Sequence, residues 1–306
     1  MPRFSIIIPC RNAAATLPAT LESLAAQTLP DWEALLVDDA STDATAALIA
    51  AAAAADPRIR AVTAPRRGPS AARNHAALAE AKGEILAFCD SDDLWAAEKL
   101  ARFDAAFADP AVSAVYARVA FFRADPDRPS TASEIAEVPL TILDLLGENP
   151  VCTMSNLAIR RAAFEATRGF DEELVQNEDL EWLVRLVGGG AVVIGIDAVL
   201  TFYRTSVSGL SADLPAMQAG RAAAVESAAR YGETPDPRHE AVFLRYLSRR
   251  ALRLDQRGGS ALRLALAGIA ASPGGFFAPP RRGALTAGGA LLAPLLPGSL
   301  RRILFA

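Results

Sequence analysis

The chain has 306 residues, 52% of them hydrophobic, which is enough for one large domain or two small ones around a sizeable core. Its three cysteines lie far apart and form no C-x-x-C pair, which argues against a disulfide framework and a zinc knuckle. Two of them, Cys10 and Cys89, end apolar runs, so we expect these two to be buried free thiols and the compartment to be reducing. No signal peptide is predicted, and no uninterrupted apolar run approaches the ~20 residues of a membrane-spanning helix.

Charge is distributed unevenly along the chain, although the net charge is only −4. Residues 212–306 hold 13 arginines against 6 acidic residues, whereas residues 1–211 hold 18 basic and 29 acidic residues. The acidic character of residues 1–211 argues against a nucleic-acid-binding protein. An acidic front and a basic tail predict two parts with different roles.

Strand and helix patterns alternate through the first 110 residues. Such alternation predicts right-handed crossovers and a largely parallel sheet between helices, which is an α/β fold. The predicted strands are Phe4–Pro9, Ala34–Val37, Ile59–Thr63 and Glu84–Cys89, and the predicted helices are Leu17–Gln27, a segment from Ser41 or Thr42 to about Ala55, and Ser70–Ala81. Ser41 or Thr42 can cap the second of these helices.

The later sequence continues the mixed pattern and then becomes helical. A helix begins at Asn177, whose side chain can cap it, and from Pro215 onward the chain is helical and rich in arginine. Between these parts the pattern predicts a loop at Arg123–Glu137, a helix at Pro139–Leu146, and strands at Asn156–Arg160 and within Ala191–Tyr203.

Polar residues follow three of the predicted strands, at the edge where ligands bind in such sheets. They are Pro9 to Asn12, Asp38-Asp39 and Asp90-Ser91-Asp92-Asp93. Three carboxylates within four residues repel one another unless a cation neutralises them, and hard oxygen ligands suit Mg²⁺ or Mn²⁺ shared with a diphosphate. The alternative is a solvated cap on a helix that runs through Leu94-Trp95.

Two further groups have a structural and a functional interpretation. Asp38-Asp39 is either a turn or a carboxylate that accepts hydrogen bonds from a nucleobase or ribose. Arg73 is either a surface arginine or a diphosphate ligand, because guanidinium groups and helix N-termini both favour phosphate.

Taken together, these segments resemble glycosyltransferase family 2, whose members have the GT-A nucleotide-diphospho-sugar transferase fold. The resemblance covers roughly Arg3 to Ser211. The matching motifs are Ser5–Pro9, Val37–Asp43, Ala72–Asn74, Gly83–Asp93, Gly169–Asp171 and Asn177–Trp182. It implies a catalytic domain at 1–211, with a nucleotide-binding half at 1–110 and an acceptor-binding half at 111–211, and a helical extension at 212–306.

The resemblance also implies a role for each candidate residue. Asp90 and Asp92 form a D-x-D motif, with Asp92 the more direct ligand of Mg²⁺ or Mn²⁺. The general base is Asp179, supported by Glu178, and it deprotonates the acceptor hydroxyl so that the anomeric carbon is inverted. The dipole of its helix lowers the basicity of Asp179. Pro9, Asp38, Asp39, Arg73 and Asp90 line the nucleotide pocket.

The sequence departs from the family pattern at two positions. Ser206 stands three residues after Tyr203, where the family often has a histidine that completes the metal site. Arg11 stands where an aromatic residue is common. We therefore expect a metal held by Asp92, phosphates and water, with metal independence as the alternative.

Two other functions share some of these features. A nucleotidyltransferase also needs a strand-end carboxylate pair, but Pro9–Ala13 is not the glycine-rich loop it normally carries. A catalytically silent sugar-nucleotide-binding module is disfavoured by Asp92 and Asp179. We expect a nucleotide-diphosphate sugar as donor, with UDP as the default nucleotide, and a glycan or lipid-linked acceptor in cell-envelope polysaccharide or glycolipid synthesis.

The basic tail predicts a peripheral contact with the inner face of the cytoplasmic membrane. Around Ala241–Arg257, an apolar stripe (Leu244, Leu247, Ala251 and Leu254) runs beside arginines at i+4 steps (Arg245, Arg249, Arg253 and Arg257), and the leucines of 291–300 precede Arg301-Arg302. An arginine-flanked amphipathic helix can lie in the interface of an anionic bilayer. The alternative is that these helices pack on the catalytic domain or form a dimer.

Overall fold

The computed structural model describes residues 1–136, 139–205, 213–254 and 259–305. The chain divides into two compact units, residues 1–140 with 150–205 and residues 141–149 with 206–306. The expected domain boundary at 211 and the serine at 206 lie outside the described residues. That boundary stays a prediction.

The first unit is built on one mixed sheet. Its central strands β1 and β2 are apolar and buried on both faces, as expected for parallel strands covered by helices. The strands are β1 (Phe4–Cys10), β2 (Trp32–Asp38), β3 (Ile59–Val62), β4 (Ile85–Phe88), β5 (Leu94–Trp95), β6 (Val112–Phe122), β7 (Thr131–Ala132), β8 (Leu157–Arg160) and β9 (Val192–Arg204).

The strand order is β3-β2-β1-β4-β8-β6-β9-β5, with β7 paired to β6. The pairs β1/β2, β1/β4, β2/β3 and β6/β9 are parallel, and β8 joins the two halves by antiparallel pairing with β4 and β6. Because β1, β2 and β4 are parallel neighbours, their carboxyl ends lie at one edge of the sheet.

Helices connect these strands. The helices of the first unit are α1 (Leu17–Ala25), α2 (Thr45–Ala55), α3 (Pro69–His75, continued by a π-helical turn at Ala76–Glu80), α4 (Lys99–Ala106), α6 (Arg161–Ala166) and α7 (Glu178–Gly188). Helix α5 (Ile142–Gly147) belongs to the second unit. Ser41 and Thr42 do not cap α2, contrary to the expectation. Their backbone and hydroxyl groups bond Asn12 instead, which ties the loop after β2 to the loop after β1.

The second unit is helical and has its own apolar core. Besides α5 it contains α8 (Leu214–Ala229), α9 (Pro237–Arg253), α10 (Gly259–Ala271), α11 (Pro273–Phe276), α12 (Pro280–Leu292) and α13 (Gly298–Phe305). In the helices that the structure describes, none has both the length and the apolar character needed to cross a bilayer.

The amphipathic pattern of α9 is directed into this unit. Leu247 and Ala251 lie in its core, and Arg245 is only 2% exposed. Arg245, Arg249 and Arg282 each approach the Glu148 carboxylate at 3.2 Å. The apolar stripe of α9 therefore packs within the second unit itself, an arrangement that neither interpretation of the tail described.

Candidate active site

The three polar segments predicted to meet at the sheet edge do so. The Asp39 amide donates to the Cys10 carbonyl at 2.7 Å, and the Cys89 amide donates to the Ile7 carbonyl at 3.0 Å, so the loops leave adjacent strands together. Asn12 and Ala40 have φ angles of 50° and 54° in these loops. Left-handed backbone at non-glycine residues costs energy and is concentrated at functional sites.

Asp38 and Asp39 differ in their surroundings. The Asp38 carboxylate accepts the Ser41 amide at 3.3 Å, which is a turn interaction. Asp39 is buried, and its carboxylate accepts the Gly68 amide at 3.1 Å and lies 3.7 Å from the exposed Arg11 guanidinium. Arg11 therefore provides a positive charge beside Asp39 in the loop that follows Pro9.

Arg73 is a buried arginine, which rules out the surface interpretation. It is 6% exposed, and its guanidinium lies 2.6 Å from the Asp90 carboxylate and 3.1 Å from the Glu178 carboxylate. One side chain thus joins the acidic segment after β4 to the start of α7, 105 residues further along the chain than Arg73. A role as a diphosphate ligand stays a prediction.

The acidic segment Asp90–Asp93 is not a helix cap, because Leu94-Trp95 forms strand β5 paired with β9. Both oxygens of the Asp90 carboxylate are engaged, one by Arg73 and the other by the Thr153 hydroxyl at 3.3 Å. Within the described residues, the Asp92 carboxylate forms no ion pair. Burial, followed by repulsion from Asp90, raises the pKa of Asp92 to about 6.

These charges suit a bound cation. Five carboxylates (Asp90, Asp92, Asp93, Glu178 and Asp179) lie in two segments joined by one arginine. Among the described residues, no group of three or more acidic, histidine or cysteine side chains is arranged to hold a metal ion by itself. Asp92 thus fits a hard divalent cation that takes most of its remaining oxygen ligands from a diphosphate and water.

Asp179 lies in the first turn of α7, next to Glu178. Burial, and then the charge of Glu178, raise the pKa of Asp179 to about 7, so burial outweighs the helix dipole that was expected to lower its basicity. The predicted cap is not formed. Asn177 adopts a left-handed conformation with φ 56° and makes no side-chain capping hydrogen bond to the helix.

A second contact joins α3 to the loop before α7. It connects the motif Ala72–Asn74 to the motif Gly169–Asp171. The Asn74 side chain accepts the Phe170 amide and donates to the Phe170 carbonyl, both at 2.8 Å. Gly169 has φ +74°, and a Cβ there would lie 2.3 Å from the Asn74 side-chain oxygen. The Trp182 indole donates to the Thr167 hydroxyl at 2.8 Å, which anchors α7 to the same loop.

Several residues of the site were not predicted. The Ser155 hydroxyl accepts the Asp90 amide at 2.8 Å, and the Arg204 amide and Nε donate to the Asp93 carboxylate and the Asp92 carbonyl, each at 3.0 Å. Isolated serines carry no recognisable pattern. Arg204 follows Tyr203, which served in the sequence only to locate Ser206, and the pairing of β5 with β9 brings Arg204 to the acidic segment.

Sequence comparisons place the chain in a family. Residues 5–168 match the family model for Glycosyl transferase family 2. Two relatives are WfgD of Escherichia coli, a UDP-Glc:alpha-D-GlcNAc-diphosphoundecaprenol beta-1,3-glucosyltransferase, and the succinoglycan biosynthesis protein ExoO of Rhizobium meliloti. WfgD is 42% identical over 97 residues, which is 31% of this chain and 37% of WfgD. ExoO is 34% identical over 192 residues, which is 58% of this chain and 54% of ExoO.

Solved structures share the fold. The mannosyltransferase PcManGT of Pyrobaculum calidifontis, in complex with GDP-Man and Mn²⁺, superposes with a TM-score of 0.61 at 24% identity, covering 99% of this chain and 83% of that one. Residues 1–349 of S. aureus TarS, in complex with UDP-GlcNAc, give 0.58 at 20% identity, covering 96% and 81%. The α/β architecture is thus that of GT-A glycosyltransferases, as predicted, and the chain belongs to glycosyltransferase family 2.

Proposed function

We propose that this protein transfers a sugar from a nucleotide-diphosphate sugar to an acceptor hydroxyl, with inversion at the anomeric carbon. The observation that carries the proposal is the Arg73 bridge between Asp90 and Glu178. It joins the acidic strand end to Glu178, the neighbour of Asp179, a carboxylate whose pKa of about 7 suits a general base at neutral pH.

We assign the nucleotide-diphosphate sugar to the sheet edge formed by the carboxyl ends of β1, β2 and β4. Asp38 and buried Asp39 offer carboxylate acceptors for the nucleobase and ribose, and Pro9 lies at the carboxyl end of β1 beside them. Arg11 and Arg73 supply positive charge, and Arg73 and Asp90 complete the nucleotide-binding set. UDP is the nucleotide we expect.

Mg²⁺ or Mn²⁺ is the cofactor that these residues fit, with Asp92 as the direct ligand. When bound, the ion supplies Lewis-acid stabilisation of the departing diphosphate. Asp90 contributes mainly negative potential, because Arg73 and Thr153 already engage its oxygens.

The transfer itself is one displacement. Asp179 accepts the proton of the acceptor hydroxyl as that oxygen forms a bond to the anomeric carbon, and the bond from this carbon to the phosphate oxygen breaks on the opposite face. Glu178 keeps Asp179 basic through its negative charge, while Arg73 limits the repulsion between the two. One base and one displacement invert the configuration.

The acceptor we propose is a glycan or lipid-linked saccharide of cell-envelope synthesis, met at the inner face of the cytoplasmic membrane. The second unit supports membrane contact through α12 and the segment after it, where Leu285, Leu291, Leu292 and Leu295 are 53–78% exposed. Residues 256–306 contain six arginines and no acidic residue. Such a surface is complementary to anionic lipid.

A single-turnover assay with a panel of sugar nucleotides, with and without Mn²⁺, tests the proposed reaction. We expect glycosyl transfer from one donor class and a product of inverted anomeric configuration by NMR. Hydrolysis or transfer with retained configuration would contradict the mechanism. Tight nucleotide binding without turnover on any saccharide acceptor would instead support the silent binding module, and nucleotidyl transfer would support the runner-up enzyme.

A further inference from the structure

Lys99 is a fully buried lysine that the proposed mechanism does not use. It is one of two lysines in the chain and the first residue of α4, where it lies on the buried face of the helix with Leu100 and Phe103. Its ammonium lies 4.4 Å from the centroid of the Trp95 ring. Burying an ammonium group costs free energy unless the group is paired and hydrogen-bonded. The hydrogen bonds of Lys99 therefore indicate its role.

The ammonium holds the segment that supports Asp90. Lys99 Nζ donates to the Ser155 carbonyl and to the Thr201 hydroxyl, both at 2.6 Å. The hydroxyl of the same Ser155 accepts the backbone amide of Asp90 at 2.8 Å. A single residue, Ser155, therefore links Lys99 to Asp90, the first carboxylate of the acidic segment.

The other end of the acidic segment is held by a separate contact. Asp93 is fully buried, and its carboxylate accepts the Arg204 amide at 3.0 Å. The segment is thus anchored at Asp90 through Ser155 and at Asp93 through Arg204.

We propose that Lys99 is a positioning residue, which holds the Asp90–Asp93 segment in the geometry that lets Asp92 meet a metal-bound nucleotide diphosphate. An apolar side chain of similar volume fills a core at lower desolvation cost, so a buried ammonium in contact with two oxygens indicates a geometric role. This inference rests on the proposed function and names the residue that pre-organises its metal site.

The test compares Lys99→Met, Ser155→Ala and the double variant with Phe4→Leu. Phe4 is buried at the amino end of β1, away from the strand-end edge, so its variant reports the effect of lost stability alone. Two measurements are needed: hydrogen-exchange protection of the Asp90 amide without ligand, and calorimetric affinity for UDP in the presence of Mn²⁺. Donor KM and kcat are measured alongside.

We expect Lys99→Met and Ser155→Ala each to lose protection at Asp90 and to weaken UDP–Mn²⁺ binding about 10- to 100-fold, the usual effect of removing a residue that orients a metal ligand. The double variant should bind UDP–Mn²⁺ no more weakly than the weaker single variant. Both residues are proposed to act through the same hydrogen bond, from the Asp90 amide to the Ser155 hydroxyl. Donor KM should rise more than acceptor KM. Phe4→Leu should lower thermal stability and leave both measurements unchanged.

Unchanged Asp90 protection and unchanged affinity in Lys99→Met would overturn the inference, and so would additive losses in the double variant. Equal losses in Phe4→Leu would reduce Lys99 to a stability role and overturn it as well. If the wild-type protein binds no nucleotide diphosphate, the proposed function fails. The exchange measurement at Asp90 still decides whether Lys99 anchors the segment.

Discussion

Two carboxylates of the candidate site, Asp92 and Asp179, have raised pKa values for the same physical reason. Each is partly withdrawn from water and lies next to another acidic residue, Asp90 in one case and Glu178 in the other. They differ in what can neutralise them. Asp92 fits a cation, whereas Asp179 is suited to take a proton.

Replacing Asp179 by Asn removes the proposed base while keeping its volume. We expect sugar transfer to fall by about 10²–10⁴-fold, with nucleotide binding retained. In the wild type, the ionised form is active, so the single-turnover rate should rise with pH and level off above the Asp179 pKa of about 7. A pH-rate profile measured on both proteins checks this. Near-normal transfer by the Asn variant would move the base to Glu178.

The same substitution should stabilise the protein at alkaline pH. Because the folded state binds the Asp179 proton more tightly than the unfolded state, this group destabilises the fold as pH rises from about 4 through about 7. The Asn variant should therefore unfold at a higher temperature than the wild type at about pH 8, with the difference shrinking toward about pH 4. A difference that is constant with pH would exclude ionisation as its cause.

Asp92→Ala tests the metal assignment. We expect loss of both turnover and Mn²⁺-dependent affinity for the nucleotide diphosphate, because Asp93 is fully buried and Asp90 is engaged by Arg73 and Thr153, whereas the Asp92 carboxylate forms no ion pair in the described structure. EDTA should abolish transfer, and added Mn²⁺ should restore it. Full activity after EDTA treatment would contradict the assignment and favour a metal-independent enzyme.

At the scale of elements, a single carboxylate joins three segments of the helical unit. Glu148, which follows α5, is approached by two arginines of α9 and one of α12. Its partners are not equally buried. Arg245 is almost fully buried, whereas Arg249 and Arg282 are about a quarter exposed, so water screens part of the attraction.

Glu148→Ala leaves three guanidinium groups facing one another. We expect the free energy of unfolding to fall by roughly 1–3 kcal/mol, the range for leaving buried polar groups unsatisfied. Glu226→Ala is the matched control, because the Glu226–Arg230 pair is exposed and contributes about 0.5 kcal/mol or less. Denaturant unfolding of both variants gives the comparison. Equal losses would mean that Glu148 is an ordinary surface carboxylate.

At the scale of the whole molecule, the arginines and the exposed leucines of the basic tail lie in different surroundings. The arginines of α9 that pair with Glu148 serve the interior of their unit. The exposed leucines of α12 and the segment after it lie in a stretch without acidic residues. A membrane contact, which remains a proposal, is therefore expected on α12 and not on the apolar stripe of α9.

Leu285→Ser with Leu292→Ser should reduce binding of the full chain to anionic phospholipid vesicles by at least about 10-fold, given ~0.8 kcal/mol per buried CH₂ group. Leu78→Ser is the control, since Leu78 is an exposed leucine of the first unit. Co-sedimentation with anionic and neutral vesicles measures the effect. If both proteins sediment equally, α12 does not contact the membrane and packing or dimerisation is favoured.

The sequence by itself predicted the α/β class, the order of most elements and the polar strand ends. Short β-branched runs and apolar helix faces are local patterns, and parallel strands necessarily bring their carboxyl ends to one edge. The family motifs were recognisable for the same reason, because each is a contiguous segment. The roles assigned to Pro9, Asp38, Asp39 and Asp179 remain predictions.

Only the tertiary structure decided which side chains meet. Arg73 reaches Glu178 across 105 residues, and Lys99 supports Asp90 through Ser155; neither contact has a local signature. The expected cap on α2 was wrong, because Ser41 and Thr42 form hydrogen bonds with Asn12 and not with the first turn of α2. The raised pKa of Asp179 had the same origin. Burial and a neighbouring charge exceeded the helix dipole, and burial depends on the whole fold.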